Sequence, residues 1–322
     1  MVEISLVVST FQRREILSRS LPSVLGQDLE TGRFEAIVVV DGSTDGTLEM
    51  LSRERDPALR VLTQENRGLA AARNRGARVA RGRVVLFLDD DAHASPGLAR
   101  AHLARHAGCL ESVVLGPFPL LPSARRSFLA DGVERWAGDL AARLSSPGYK
   151  PRFTDCCFAN ASLPRALWER TGGFNETFRR FGNEDYDYGL RLLAAGTDLI
   201  FEPRAIAWQD YRKSYGTWCR EWRDIGRADL ELARLHPEVE REMGFSRLRS
   251  LHPLRRACCA LGLRGSRAAA FAIAPVRIGV SLADRLGMRG ALLDRLKWLP
   301  ADYQYGLGVR EASSHTPDNG NA

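Results

Sequence analysis

The run Val84-Val85-Leu86-Phe87-Leu88 ends in three consecutive aspartates, Asp89, Asp90 and Asp91. Five unbroken apolar residues after Gly82 read as a strand buried on both faces, which is the mark of a mostly parallel sheet. Such sheets are flanked by helices and take their ligands beyond the carboxyl ends of the strands, so these acids stand where a ligand binds. Extended backbone sends Asp89 and Asp91 to one side, where both can face one cation, with Asp90 directed elsewhere. Oxygen ligands with no Cys or His nearby favour Mg2+ or Mn2+ over Zn2+. The competing reading is a solvated acidic turn before a helix that Ser95 and Pro96 start.

Further strands precede this one. Phe34 to Val40 contains Ile37-Val38-Val39-Val40 and breaks into Asp41-Gly42-Ser43-Thr44-Asp45-Gly46-Thr47, where Asp45 or Thr47 can cap a short helix through Leu48, Met50 and Leu51. Asp41, at a strand end, can accept a hydrogen bond from the N–H of a uracil or thymine ring, or simply close an Asx turn. The first strand, Ser5 to Thr10, leads to a helix with Leu17, Leu21, Val24 and Leu25 on one face. Phe11-Gln12-Arg13-Arg14 joins them, and the lack of a glycine-rich loop excludes a dinucleotide fold and a P-loop. Phosphate must then be met by side chains. Arg60 to Thr63 makes another strand, Asn66-Arg67-Gly68 opens a helix over Leu69 to Ala80, and Arg67, Arg73 and Arg75 bring bidentate donors toward the cation.

Downstream, Thr171-Gly172-Gly173-Phe174 is a turn, and Asn183-Glu184-Asp185 begins a helix whose apolar side includes Tyr186, Leu190 and Leu193. An acid in a first turn feels the positive end of the helix dipole, which favours its ionised form by about 0.3 to 1 kcal/mol. Capping is the plain alternative for Glu184 and Asp185.

Four stretches in order, "VVSTFQRREILSRSLPSVLGQD", "EAIVVVDGSTDGT", "ENRGLAAARNRGARVARGRVVLFLDDDA" and "TGGFNETFRRFGNEDYDYGLRLLAAG", resemble the signatures of family 2 glycosyltransferases over residues 2 to about 210. The resemblance implies an α/β GT-A fold, a single Rossmann-like, mostly parallel sheet flanked by helices. It also implies inverting, metal-dependent transfer of a sugar from a UDP- or dTDP-sugar donor to a hydroxyl on a glycan, a lipid-linked glycan or a small molecule. Carried over by position, Asp185 is the catalytic base, with Glu184 beside it. Thr10, Asp41, Arg73 and Asp90 bind the nucleotide, and Asp89 and Asp91 hold Mg2+ or Mn2+. Many members have a further Asp where Val40 stands. Many also place a metal-binding His after the last core strand, where this chain has Trp208-Gln209-Asp210; Asp210 or Gln209 is the expected replacement, and Asp210 is taken as the third ligand.

The expected layout is a catalytic domain over 1–210, with a nucleotide-sugar half to about 117 and an acceptor half over 118–210. A helical extension follows over 211–310, then a disordered polar tail over 311–322. Of 322 residues 44% are hydrophobic, ample for one large core. The six cysteines, Cys109, Cys156, Cys157, Cys219, Cys258 and Cys259, form no C-x-x-C pair and read as reduced structural residues. His102 and His106 have zinc-helix spacing without the Glu of a metalloprotease and read as core or surface. Residues 245–300 hold eleven Lys and Arg against two Asp, whereas the whole chain is +7, so the basic character belongs to this segment. Its apolar stretches are too short to span a bilayer. Either they pack on the catalytic domain or they contact an anionic membrane peripherally, in keeping with a cytoplasmic chain on the inner face of the cell membrane. No signal peptide opens the sequence and no nucleic-acid motif accompanies the arginines.

Two other classes and one enzymatic rival compete. A sugar-nucleotide nucleotidyltransferase would show a glycine-rich, arginine-bearing loop after the first strand, and none is present. A non-catalytic binding protein of this fold would not need all of Asp41, Asp89, Asp91 and Asp185. A processive synthase would carry membrane spans and a Q-x-x-R-W motif, neither of which occurs. Acceptor choice is expected in irregular segments over 118–158 and 211–227, where Trp136, Tyr149, Trp218 and Trp222 can stack on sugar rings.

Overall fold

The computed structural model describes residues 1–108, 111–124 and 127–314. The chain divides into two compact units, one of Met1–Arg125, Gly132–Arg179 and Glu184–Tyr211, the other of Arg126–Asp131, Arg180–Asn183 and Arg212–Ala322.

The first unit starts with β1 (Ile4–Thr10), α1 (Arg14–Leu25), β2 (Phe34–Asp41), α2 (Thr47–Leu51), β3 (Leu59–Gln64), α3 (Leu69–Val79) and β4 (Val84–Asp89). It continues with β5 (Ala92–Ala94), α4 (Leu98–His106), β6 (Ser112–Leu115), α5 (Phe128–Ser145), β7 (Asn160–Pro164), α6 (Arg165–Thr171), α7 (Glu184–Ala194), β8 (Asp198–Phe201) and β9 (Ala207–Gln209). Seven strands form one sheet in the order β3-β2-β1-β4-β7-β6-β8, with β7 antiparallel to both neighbours and every other pairing parallel. All seven residues of β1 are buried because helices cover both faces. Leu6, Val8, Val38, Leu86 and Leu88 pack on Leu17 and Leu21 of α1, while Val7, Ile37, Val39, Val85 and Phe87 pack on Ala70, Ala72 and Ala77 of α3 and on Tyr188 and Leu192 of α7. Each buried Val, Leu, Ile or Phe side chain among them contributes about 1.5 to 3 kcal/mol of transfer free energy.

The parallel register aligns the strand ends that matter: Ser9 stands beside Asp89, and Thr10 beside Val40. A second, two-stranded sheet pairs Ala92 with Gln209 and Ala94 with Ala207, folding the chain just beyond β4 against the chain just before Asp210.

Two expectations for this unit are corrected. The 118–158 segment is not irregular throughout, since it holds the 18-residue α5. The buried residues of α7 are Glu184, Asp187, Tyr188, Gly189 and Leu192, while the expected Tyr186, Leu190 and Leu193 are only partly buried, Leu193 packing on the edge of the core. Gly189 decides this phase, because a Cβ there would stand 2.6 Å from Cys156 Sγ and the helix can approach so closely only on its glycine side. His102 and His106 are fully buried, His102 Nε2 meeting Asn160 Oδ1 at 3.1 Å and His106 Nε2 meeting Ser162 Oγ at 2.8 Å. Burial pushes the His102 imidazole down to about 4, so it is a neutral core residue. Cys156, Cys157, Cys219, Cys258 and Cys259 are free thiols; Cys109 lies outside the described residues.

The second unit is helical: α8 (Tyr215–Leu235), α9 (Pro253–Leu263), α10 (Arg267–Arg285), α11 (Ala291–Leu296) and α12 (Trp298–Ser314). Gly306 and Gly308 of α12 let its backbone lie against Cys259 and Arg223, and Gly226 and Gly262 face the same helix from α8 and α9. Trp218 and Trp222, expected to stack on sugars, pack instead on Trp298 within this unit. Residues 311–314, expected in a polar tail, are the last turn of α12, anchored by Glu311 on Arg223 and Arg227. The rest of that tail, 315–322, lies outside the described residues. Among the described residues no helix is long and apolar enough to cross a membrane.

Candidate active site

The acids after β4 are sorted by the shape of the turn. The chain does not stay extended past Asp89; Asp90 and Asp91 form a turn into β5. Asp90 and Asp91 therefore share one cation, Arg13, which reaches Asp90 Oδ1 and Asp91 Oδ2 at 3.0 Å each. Asp89 faces Arg73 instead, at 3.0 Å. The expected pairing of Asp89 with Asp91 is thus replaced by Asp90 with Asp91, because alternation across a strand requires backbone that remains a strand. Asp90 is held further by Thr10, whose hydroxyl donates at 2.7 Å, and by Ser20 Oγ on its carbonyl at 2.6 Å. Burial and the neighbouring Asp91 carboxylate raise the Asp90 carboxyl to about 7 against the opposing pull of Arg13.

Arg73 lies at the centre. It is 2% exposed, and its guanidinium donates to Asp89 Oδ1 at 3.0 Å, Asp185 Oδ1 at 2.8 Å and Glu184 Oε1 at 3.3 Å. Burial alone would lower its pKa, yet Asp185, Asp89 and Glu184 together raise it, so the group is a fixed cation. Asn74, next on α3, locks the turn before α7 by exchanging hydrogen bonds with the Phe174 backbone, donating at 2.8 Å and accepting at 2.9 Å. This is why an acid pair 112 residues further along the chain meets the α3 guanidinium. Arg67, expected beside Arg73, pairs with Glu176, and Arg75 is exposed with no ion pair to these acids. One arginine of the three converges.

Glu184 and Asp185 open α7. Burial, then the Asp185 carboxylate, raises Glu184 to about 7 against Arg73. Burial also raises Asp185, opposed by Arg73 and by the Phe158 N–H, which donates to Asp185 Oδ2 at 2.9 Å. Side-chain exposure separates the acids: Asp89 keeps 32% and Asp185 19%, whereas Asp90, Asp91 and Asp210 keep 5% or less. The two carboxylates open to a ligand are two of the three that Arg73 bridges; Glu184, the third, keeps 9%. Nearby Cys157 is no competing nucleophile, since burial and Asp185 push its thiol up to about 12.

Asp41 is 4% exposed and accepts from Gln64 Nε2 at 2.7 Å and from the N–H groups of Arg67 and Gly68 at 2.9 Å each. Two of these bonds fall on Oδ1 and one on Oδ2, so Oδ2 retains a lone pair. Asp210 lies beside Asp91, its N–H donating to the Asp91 carbonyl at 2.9 Å, but its carboxylate turns to Arg19 at 3.3 Å. Gln209 Nε2 approaches Asp91 Oδ2 at 3.4 Å. The three expected metal ligands thus face three different guanidiniums, and among the described residues no three His, Cys, Asp or Glu side chains converge on one point. Hard carboxylate oxygens still suit Mg2+ or Mn2+, cations usually held by one or two carboxylates plus substrate phosphates. Arg13 and Arg19 were not among the expected residues, although Arg13 lies only three residues beyond the end of β1, at the edge of the sheet where the strand-end rule places ligands.

The family model of glycosyl transferase family 2 matches residues 5–127, and that of the N-terminal domain of galactosyltransferase matches 138–213. Validoxylamine A glucosyltransferase of Streptomyces hygroscopicus subsp. jinggangensis (strain 5008) is 34% identical over 228 residues, covering 61% of this chain and 52% of that protein. The chain therefore spans about half the length of that relative. Hyaluronan synthase of Pasteurella multocida is 25% identical over 226 residues, 61% of this chain and 23% of that protein. Among solved structures, mannosyltransferase PcManGT from Pyrobaculum calidifontis, in complex with GDP-Man and Mn2+, has a TM-score of 0.61 at 20% identity, covering 97% of this chain and 88% of that one. S. aureus TarS 1-349 in complex with UDP-GlcNAc has a TM-score of 0.54 at 18% identity, covering 95% and 92%. With two consecutive family models, glycosyltransferase relatives and this sheet order in agreement, the chain carries a family 2 glycosyltransferase domain with the GT-A fold.

Proposed function

We propose that this chain is an inverting glycosyltransferase that moves a sugar from a UDP- or dTDP-sugar to a hydroxyl on a glycan, a lipid-linked glycan or a small molecule. The observation that carries the reading is the Arg73 bridge: one buried guanidinium joins Asp89 at the strand end to Asp185 at the head of α7. It brings a diphosphate-binding side and a proton-accepting side within the reach of one side chain. The complexes of PcManGT with GDP-Man and of TarS with UDP-GlcNAc support a nucleotide-sugar donor.

In this reaction the acceptor oxygen attacks the anomeric carbon, its proton passes to Asp185, and the bond to the diphosphate breaks with its electron pair leaving on the phosphate oxygen. Burial makes Asp185 a stronger base than a free aspartate, while Arg73 and the Phe158 N–H keep it aimed and ionised. Arg73 and Arg13 are the permanent cations beside the leaving group. The free lone pair on Asp41 Oδ2 takes the N–H of the uracil or thymine ring, and Thr10 and Asp90 line the same strand end. Asp89, the strand-end acid that stays open, would offer a carboxylate to Mg2+ or Mn2+ together with the substrate phosphates, while Asp91 and Asp210 stay turned to Arg13 and Arg19. Bound there, the metal supplies Lewis-acid charge to the diphosphate oxygens. One base and a single displacement invert the anomeric centre.

Asp185→Asn tests the reading, because it keeps shape and hydrogen bonding but cannot take a proton. Turnover should fall roughly 100-fold or more with the donor dissociation constant little changed. Near-native turnover would reject Asp185 as the base, and lost donor affinity in a folded variant would place it at the diphosphate instead. A chain that only binds nucleotide would transfer sugar from no donor in a panel.

A further inference from the structure

Helix α10 is built the wrong way round for a helix that serves only to close a water-soluble bundle. Its inward face is made of small residues, Ala269, Val280 and Ala283, all buried, together with Asp284, which accepts from the Tyr215 N–H at 3.2 Å. Its outward face carries the large apolar side chains: Phe271 is 80% exposed, Ile278 64%, Leu282 55% and Leu286 67%. At 100° per residue these four fall within one stripe, which runs about 22 Å along the axis at 1.5 Å per residue. Beyond its end, Met288 and Leu292 are exposed as well. Scattered surface leucines need no explanation, but a continuous stripe on one face marks a contact with something apolar.

The surroundings say what that something is. Beside the stripe, a groove of about 460 Å³ between α8, α10 and α12 is lined by Arg220, Arg277 and Arg285 together with Ile278 and Leu282. Arg267 is exposed at the start of the helix, and Arg289, just beyond its end, is exposed and paired with Asp131 at 2.6 Å. The only acids between residues 245 and 300 are Asp284 and Asp294; the first is buried, and the second pairs with Lys297 at 2.9 Å. No acid lines the groove or belongs to the apolar stripe. A second copy of the chain is a poor occupant, since a two-fold contact would set one arginine-rich face against another. An anionic bilayer answers both features at once, offering phosphates at the depth of the guanidiniums and acyl chains just beneath them.

We propose that α10 is an in-plane membrane-docking helix, with Phe271, Ile278, Leu282 and Leu286 entering the boundary between headgroups and acyl chains, and Arg220, Arg277 and Arg285 receiving lipid phosphates in the adjoining groove. The proposal does not depend on the catalytic reading, and it assigns the basic segment a lipid surface as partner.

Flotation of the full chain with vesicles tests it. Vesicles of three parts phosphatidylcholine to one part phosphatidylglycerol should bind the chain at least tenfold better than pure phosphatidylcholine at about 0.1 M salt. The double variant Ile278→Ser, Leu282→Ser changes no charge and lies in solvent, so its thermal midpoint should match the native chain while its binding to the mixed vesicles falls about tenfold or more. Arg220→Gln with Arg277→Gln should lower binding to the mixed vesicles and leave the weak binding to phosphatidylcholine unchanged. Equal binding to both vesicle types would overturn the headgroup assignment. A serine pair that still floats like the native chain would overturn insertion. Sedimentation showing a native dimer that the serine pair loses would make the stripe a contact between copies.

Discussion

Arg73 donates to three acids from inside the fold, so removing it does more than delete a contact. Arg73→Met would leave Asp89, Glu184 and Asp185 without their shared cation, and breaking a buried ion pair on one side costs about 3 to 5 kcal/mol. Urea unfolding should show a loss of that size; a loss under 1 kcal/mol would mean that the acids are solvated. Glu184 offers a second test. Its carboxyl is raised to about 7 by burial and by Asp185, so the folded chain holds a proton there that the unfolded chain has released. Its contribution to stability is fully present below about pH 4.5 and is lost as pH rises through about 7. Between pH 5 and 8 the native chain should lose on the order of 2 kcal/mol that Glu184→Gln retains, at about 1.4 kcal/mol per pKa unit. Parallel stability curves for the two proteins would refute the buried, protonated Glu184. At this scale Asp89 and Asp185 were legible because each sits at the terminus of an element that sequence locates. Arg73 was legible as well, as a donor on the helix that follows β3, but Arg13 was not, since it looks like any surface arginine until the fold sets it against Asp90 and Asp91.

The parallel sheet was legible as elements, because each strand is an unbroken apolar run that stops at polar residues. Helix phase was less so. The stripe of α7 is set by Gly189 pressing on Cys156 and by Glu184 being drawn inward to Arg73, and apolar spacing reports neither. The α3 helix makes the same point energetically. A Cβ at Gly76 would overlap Val7 and stand 3.3 Å from Val39, so glycine here sets the distance between helix and sheet. Alanine is the better helix former by about 1 kcal/mol, while overpacking costs about 1 to 3 kcal/mol. Gly76→Ala should therefore be destabilising and lower the thermal midpoint; a raised midpoint would show that α3 has room to move.

For the whole molecule, the internal pairing of its acids bears on its response to metal. Asp89, Asp91 and Asp210 already face Arg73, Arg13 and Arg19, so folding does not wait on a cation to relieve like-charge repulsion. Chelation should shift the thermal midpoint of the ligand-free chain by less than about 2 °C, yet abolish the added stability that UDP gives in the presence of Mn2+. Large unfolding on chelation, or full UDP stabilisation without metal, would contradict the proposed division of labour. What composition could not convey at this scale is the second unit's construction. Its tryptophans looked like sugar platforms, but they close on one another, and glycines let α8, α9 and α12 pack at backbone distance.

The bond between Arg73 and Asp185 joins residues 112 apart in the chain. On a ribosome adding about 5 to 20 residues per second, the guanidinium emerges roughly 6 to 22 s before the carboxylate it is built to hold. During that interval β1, β2 and β3 can pair, because their sequence is already present, whereas no base can yet stand opposite the strand-end acids. The order of synthesis therefore gives the nascent chain its nucleotide half first and its chemistry last.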